Sequence, residues 1–516
     1  MAEYVFGANI LENLTTGMYK SSQIIFREYI QNSCDAIDKA ITLGILQPNE
    51  GEINIWIDTD TRSISIEDNG TGLAEKEFAE TLQAIAQSNK QLDTEKGFRG
   101  IGRLCGLAYC KELIFSTTAK GEDVISRMRI DAQKLRSRFY GDIKYTAQEV
   151  LNEVIDIETK SSIRVIDEHW FKVELIDINL ENNVLLDDSI IGDYLSFVAP
   201  VEYRNTFCFG KKIYDYASTL NFKIDEYRIN LNGEQLVKKY KTNFKTSQGE
   251  DEIFDVSFRN FYSDNHKLIA WSWIGLSKFK GVIEQSSKNP NNKMRSIRLR
   301  KGNIQIGDED TLQNLFSEER GIHYFVGEVF VVDNNLIPNS QRDYFIENSA
   351  LKEFETALTD YFEELHKVYY RASEVNSAIR GVKAVDNAEE KFKNQVFVSK
   401  NHQAAEEEKL ETIREKAVIY SRKIERRHQE ALSNPQSILS KVTRRIIEKP
   451  DEKAQSSQII LIEPATNNLQ GSTYLFPNLS RKERKLVYSI LDVIRENTDG
   501  KTFTDLQNKI IKAVNQ

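Results

Sequence analysis

The sequence predicts an α+β protein: a sheet with helices on one face, then a second α/β region, then a long helical stretch. Three observations carry this. Two short runs near the start alternate apolar and polar residues with period two, helical spacing flanks them, and strand patterns stop after Ala350. Taken in order, residues 8–43 place Ile10, Leu14, Ile25, Tyr29, Ile30 and Ile37 at helical intervals. Residues 51–58 and 62–68 then read as a hairpin turning through Asp58–Thr61. Leu73–Lys90 returns to helix, and Leu113–Ser116 and Ser162–Ile166 read as further strands. This order is not that of a βαβ doubly wound domain. The second region carries strand patterns at Tyr227–Leu231, Leu268–Ile274, Ser296–Arg300 and Tyr324–Val332. Leu351–Ala372 is amphipathic. Glu374–Leu432 is rich in Glu, Lys, Arg, Gln and Ala, with one glycine, Gly381, and no proline, as in long helices or a coiled coil. Asn434 and Pro435 interrupt it, Pro450 and Pro464 punctuate a polar linker, and a small helical unit closes the chain. The expected divisions are 1–185, 186–350, 351–432, 433–473 and 474–516.

With 516 residues, 40% of them hydrophobic, the chain is long enough for several buried cores. Its net charge of −9 argues against a broad nucleic-acid-binding face. Cys34, Cys105, Cys110 and Cys208 show no metal-ligand spacing and suit a reducing compartment. No apolar run approaches the roughly 20 residues that span a bilayer, and no secretory leader is legible, so the expected setting is the cytoplasm with no membrane partner.

Three local patterns carry chemistry. In Phe26–Lys39, the residues Glu28, Asn32, Asp35 and Lys39 are four, three and four apart, along one helix face. A carboxylate beside a carboxamide suits a Mg-phosphate site, with Glu28 polarising a water and the Asn32 oxygen ligating Mg²⁺. A solvated polar stripe has the same spacing. Next, Asp68 ends a strand and is followed by Asn69, Gly70, Thr71 and Gly72. Asp68 can accept from an exocyclic amino group of a base, and the two glycines let backbone approach it closely. Asp-Asn-Gly is also a common turn. Third, Gly97, Phe98, Arg99, Gly100, Ile101 and Gly102 form a glycine-rich loop whose N–H groups suit phosphate oxygens. A dinucleotide fingerprint is excluded by context, since a polar loop precedes it and no βαβ unit surrounds it.

In this order, the three patterns resemble the GHKL ATPases, the superfamily of gyrase, heat-shock chaperones, histidine kinases and MutL. The resemblance implies a Bergerat-type ATP-binding sandwich in which Glu28–Asn32 is the N box, Asp68–Gly72 the first glycine box and Gly97–Gly102 the second. Ser162 stands where the family places a threonine contact. The run Asn13–Glu28 is similar to HtpG-type chaperones, and Ile85–Lys90 to the segment opening their lid, bringing in Ser88 and Lys90. Gln87 replaces a lysine there, which shifts the basic phosphate contact to Lys90 or Arg99. The short lid, Asn89 to Lys96, is closer to MORC-like relatives. The stretch Gly327–Asp343 resembles the family's transducer, implying that Arg342 reaches the γ-phosphate from the second domain. A structural pairing of Arg342 with Asp343 or Glu347 is the alternative. Arg298, Arg300 and Lys301 fit a solvated strand edge. The implied activity is Mg-ATP hydrolysis, with ATP and Mg²⁺ bound, driving a homodimeric clamp that acts on a protein client or partner subunit. The alternative is a nucleic-acid clamp of MORC or MutL type in bacterial anti-phage defence, supported by basic residues within Arg422–Arg427 and Lys441–Arg445. A histidine kinase is disfavoured, because its ATP domain would follow a dimerising helix with the phospho-acceptor histidine.

Overall fold

The computed structural model describes residues 7–15, 21–84, 102–139, 145–162, 165–283 and 293–449, with scattered helical positions between 487 and 513. The first region opens with α1 (Asn9–Thr15) and α2 (Ile24–Thr42). The hairpin follows as β1 (Glu52–Asp58) and β2 (Ser63–Asp68). Its turn is held by Asp58 Oδ1, which accepts from the amides of Asp60 at 2.9 Å and Thr61 at 3.1 Å. Then come α3 (Glu75–Gln83), a 3-10 turn at Gly102–Ala108, β3 (Cys110–Thr118), β4 (Val124–Asp131), α4 (Ala132–Ser137), α5 (Ala147–Val154), β5 (Ile155–Ser161) and β6 (Trp170–Ile178). A second 3-10 stretch, Leu180–Leu186, leads into α6 (Asp188–Val198), α7 (Gly210–Thr219), β7 (Arg228–Leu231) and β8 (Glu234–Gln235).

These strands make one eight-stranded sheet in the order β5-β4-β3-β6-β2-β1-β7-β8, antiparallel except for the β1–β7 pair. Alternation along β1 and β2 sends Ile53, Ile55, Ile64 and Ile66 into a core shared with Phe26, Tyr29 and Ile30 of α2. Two expectations change. Of the expected strand Ser162–Ile166, the described residues Ser162, Val165 and Ile166 lie in no strand; β5 ends at Ser161, and the central strand is β6. And β7, expected in the second region, completes the first sheet beyond residue 185. Asn232 secures it, accepting from the Ile57 amide and donating to the Ile55 carbonyl, each at 2.8 Å. The free edge of β1 is thereby paired.

The second region adds β9 (Asn243–Thr246) and β10 (Gly249–Glu252) as a hairpin, then β11 (Asp255–Tyr262), β12 (Leu268–Leu276), β13 (Ser296–Lys301), β14 (Ile304–Ile306) and β15 (Val326–Val331). The last five form a sheet ordered β11-β12-β15-β13-β14. One face carries Trp271, Trp273 and Phe330 against Tyr203, Phe207 and Tyr240. The other packs Ile274, Leu299 and Val329 against α8 (Ser349–Asn394). Arg298 and Arg300 do not lie on a solvated edge. Arg300 is fully buried, paired with the equally buried Glu328, and its guanidinium donates to the Phe197 carbonyl at the end of α6 at 2.6 Å. Glu328 also takes Lys238 at 3.2 Å and the Trp273 indole N–H at 2.9 Å.

The Asn348 side chain caps α8 through the Leu351 amide at 2.9 Å. α9 (Lys400–Ser433) returns along α8, burying Leu410, Ala417, Ile424 and Ala431 at heptad spacing, and α10 (Ile438–Glu448) packs on both. The helical pairing is thus within one chain. Among the described residues, no helix is long and apolar enough to cross a membrane. Of the expected linker 433–473, residues 433–449 are described and form not a linker but the end of α9 and α10, whose Val442 and Ile446 join the core against α8. Residues 450–473 lie outside the described residues, as does most of the closing unit.

Candidate functional site

The helix α2 runs through the first core and is buried on most of its circumference. Glu28 and Asp35 are each 6% exposed, Asn32 is half-buried, and Lys39 is exposed. The shared face therefore runs from a dry end at Glu28 to solvent at Lys39. Gly102 is pressed against that dry end: a Cβ there would lie 2.4 Å from Glu28 Oε2. A Cβ there would require the carboxylate to shift from this position. The Tyr29 hydroxyl keeps the 3-10 turn in place, donating to the Arg103 carbonyl at 3.0 Å and accepting from the Gly106 amide at 3.1 Å. Arg103 donates to the carbonyl of Ala84, joining the two ends of the segment 85–101. Burial lowers the Arg103 guanidinium to about 10. Burial, then the charge of Glu28, pushes the Cys105 thiol well up, so it stays protonated beside the carboxylate.

From the far side of the chain, Arg342 approaches the same carboxylate, its Nε 3.4 Å from Glu28 Oε1. Arg27 Nε lies 3.8 Å from that oxygen. At these distances the contacts are ion pairs and not hydrogen bonds. The Arg27 guanidinium instead donates to the backbone carbonyls of Gln341 at 3.0 Å and Arg342 at 3.4 Å. The loop is built to present this arginine. Pro338 and Phe345 bridge its base, the Asn339 amide donates to the Tyr344 carbonyl at 2.9 Å, and Arg342 sits at φ +53°. A left-handed conformation is uncommon for a residue with a Cβ and marks a constrained position.

The first glycine pattern lies alongside. Asp68 is 4% exposed, and its Oδ1 accepts from the Gly70 amide at 3.0 Å. A Cβ on Gly70 would fall 2.6 Å from Ala36 Cβ, one turn beyond Asn32 on α2. Gly72, at φ +60°, would place a Cβ 1.9 Å from the Thr118 carbonyl oxygen. Gly70 is thus a steric requirement for the turn to lie against α2, and Gly72 for its close approach to β3. Thr117 on β3 finishes the arrangement: its hydroxyl accepts from the Leu73 amide at 2.9 Å and donates to the Trp170 carbonyl at 2.7 Å. Asp68, Phe171 and Thr117 stand in one cross-strand row.

Glu28, Gly102 and Arg342 therefore meet near the start of α2, while Gly70, held by Asp68, reaches the same helix at Ala36, with Asn32 and Asp35 on the helix between and Gly72 against β3. Ser162 does not join them. It follows the edge strand β5, which β4, β3 and β6 separate from β2, and its amide donates to the Asp123 carbonyl at 2.5 Å. The residue facing Asp68 across β6 is Phe171, because β6, and not the segment after Ser162, is central. Lys39 lies at the exposed end of the stripe. Ser88, Lys90, Gly97, Phe98, Arg99, Gly100 and Ile101 lie outside the described residues. Sequence reasoning missed Arg27, Tyr29, Thr117 and Phe171. Arg27 and Tyr29 flank Glu28 in the chain, yet only the partners at 341–342 and 103–106 give them meaning.

Among the described residues, no cluster of three His, Cys, Asp or Glu side chains could hold a metal. Mg²⁺ takes one or two protein oxygens and fills its octahedron with phosphate and water. The half-buried Asn32 carboxamide, one turn from Glu28, is such a donor.

Residues 19–161 match the family model described as histidine kinase-, DNA gyrase B- and HSP90-like ATPase. The chain is also similar to the chaperone protein HtpG of several bacteria. It is 23% identical to that of Wigglesworthia glossinidia brevipalpis over 277 residues, covering 51% of this chain and 40% of the relative. Against HtpG of Coxiella burnetii (strain RSA 331 / Henzerling II) the identity is 39% over 85 residues, 15% of this chain and 13% of the relative. Against HtpG of Geobacter metallireducens it is 21% over 378 residues, 64% of this chain and 49% of the relative. The chain thus spans half or less of the length of each of these relatives.

Proposed function

We propose, on the premise that residues 19–161 form an ATPase domain of the GHKL superfamily close to the HtpG type, that the chain binds Mg-ATP between α2 and the β2 turn and hydrolyses it. The observation that carries this reading is the meeting of Glu28 with Arg342, 314 positions apart, at 3.4 Å. A buried carboxylate with a cation from another part of the fold can both activate a water and sense a phosphate. Asp68, buried at the end of β2 where Gly70 brings the turn against α2, would accept from the adenine amino group. Asn32 would hold Mg²⁺, which when bound neutralises charge on the β- and γ-phosphate oxygens. Glu28 would take the proton of the attacking water, and Arg342 would exchange Glu28 for the γ-phosphate. ATP then favours one arrangement of the two regions and ADP the other, because only ATP offers Arg342 that partner.

The work of this cycle is read as remodelling of a protein client by a homodimeric clamp. The nucleic-acid alternative loses its main support. Lys423 and Arg427 pair with Glu374 at 2.9 and 3.0 Å, Arg426 lies 3.7 Å from Glu430, and Arg445 pairs with Glu252. Lys423 and Arg427 tie α9 to α8, Arg426 pairs within α9, and Arg445 ties α10 to β10. ATP turnover by the purified chain, and ATP affinity of Asp68→Ala, test the reading. Wild-type turnover with affinity lost in Asp68→Ala is expected; no turnover, or undiminished affinity in the variant, would reject it. Retention on DNA that falls with salt would revive the alternative.

A further inference from the structure

Gly70 is used twice by side chains. Its amide donates to Asp68 Oδ1 at 3.0 Å, and its carbonyl accepts from Nδ1 of His169 at 2.7 Å, 99 positions along the chain. A carbonyl can only accept, so Nδ1 carries the proton and the neutral ring is the Nδ1–H tautomer. Both contacts fall on a residue with little hold on its own conformation, since glycine lacks the Cβ that restricts φ and ψ. Ala36 of α2 lies 2.6 Å from where a Gly70 Cβ would stand, so close packing on that helix limits the turn as well. The turn that follows Asp68 is therefore set by a helix and a histidine ring.

His169 is half-buried and stands directly before β6. The residues beside it are themselves fixed. The Glu168 amide donates to the Val165 carbonyl at 2.9 Å, and the Glu168 carboxylate accepts from the Trp170 indole N–H at 3.0 Å. The Trp170 carbonyl takes the Thr117 hydroxyl at 2.7 Å, and that hydroxyl accepts from the Leu73 amide, just past Gly72. One residue later, Phe171 stands opposite Asp68 in the sheet. The start of β6 thus reaches the glycine turn at two points, Gly70 through the His169 ring and Leu73 through Thr117. The Thr117 path holds the end of the turn, and the His169 path ends on the residue that donates to Asp68.

We propose that His169 is a positioning residue for the nucleobase: by holding the Gly70 carbonyl, it keeps the Gly70 amide on Asp68 and so aims that carboxylate at an exocyclic amino group. The inference rests on the reading that Asp68 accepts from the adenine amino group, and it adds the residue that sets how well it does so. Its consequence is selective. Losing the ring weakens the contact to the amino group, whereas the contacts assigned to Asn32 and Arg342, on metal and phosphate, do not pass through Gly70.

The test is equilibrium binding of ATP, and of purine riboside triphosphate, which lacks the exocyclic amino group, to the full chain and to its His169→Ala and His169→Asn variants. The parent should prefer ATP by at least about tenfold. In His169→Ala, ATP affinity should fall roughly tenfold while affinity for the amino-less triphosphate stays within about twofold, so that the preference is lost. Asparagine carries its amide nitrogen as far from Cα as histidine carries Nδ1, and His169→Asn should restore the preference. If circular dichroism shows that His169→Ala does not fold, His169→Gln takes its place, because its amide nitrogen sits further out. A parent that binds neither triphosphate, or both alike, rejects the Asp68 reading and the inference with it. Where the parent does prefer ATP, unchanged ATP affinity in His169→Ala, or an equal loss for both triphosphates, overturns the role of His169 alone.

Discussion

Glu28 has two guanidinium groups within 4 Å and a glycine where any side chain would collide with it. Its orientation is therefore set from three directions, and the smallest change reads it out. Gly102→Ala should displace the carboxylate and lower ATP turnover roughly 10²-fold, with ATP affinity changed far less, as checked by steady-state hydrolysis and equilibrium binding. Unchanged turnover would mean that the close approach is incidental. Arg300 offers a contrasting residue-scale test. Arg300→Met leaves Glu328 with Lys238 as its remaining cation in a fully buried site and should cost about 3–5 kcal/mol in urea unfolding. Burial works against the charge on Glu328, but Arg300 and then Lys238 outweigh it and hold the carboxyl at about 2, below its ordinary 4.5. A carboxyl lowered by folding contributes stability that is present above pH 4.5 and lost as pH falls towards 2. Acid unfolding should therefore begin at higher pH in Arg300→Met than in the parent chain, followed by circular dichroism.

At the scale of elements, α8 is long because nothing in it stops a helix, and its one glycine is there for α9. A Cβ on Gly381 would lie 2.3 Å from the Tyr420 ring. Helix propensity favours alanine over glycine by about 1 kcal/mol, whereas overpacking costs about 1–3 kcal/mol. Gly381→Ala should thus destabilise the hairpin despite its better propensity, lowering the thermal midpoint without altering ATP turnover. A raised midpoint would show that Tyr420 simply moves aside. The strands show where local pattern reading ends. Ile64–Ile66 was legible because its alternation matches a half-buried face, whereas β3 is buried continuously from Leu113 and does not alternate. Ser162–Ile166 and Trp170–Ile178 are both strand-like in composition, and only pairing with β2 and β3 selects the second.

For the whole molecule, the carboxylates and glycines that gather at α2 were legible because their spacing is local. What joins the two regions was not. Arg342 could be named from its loop, but its place on Glu28, and the Arg27 grip on that loop, arise from contacts over 314 residues and more. Arg300 read as a surface cation because its partners, Glu328 and the end of α6, lie far away in sequence. The same holds for β7, which crosses the expected boundary at 185 to pair with β1. The first region is thus tied to the second by the Arg300 hydrogen bond to the end of α6 and by the Arg342 loop that Arg27 grips.

Glu28→Ala tests the central claim most directly, with ATP affinity and ATP turnover measured on the same preparation. If Glu28 is the base, the variant binds ATP with affinity near that of the parent, and turnover falls by roughly 10²-fold or more. Turnover at the parent rate would contradict the account.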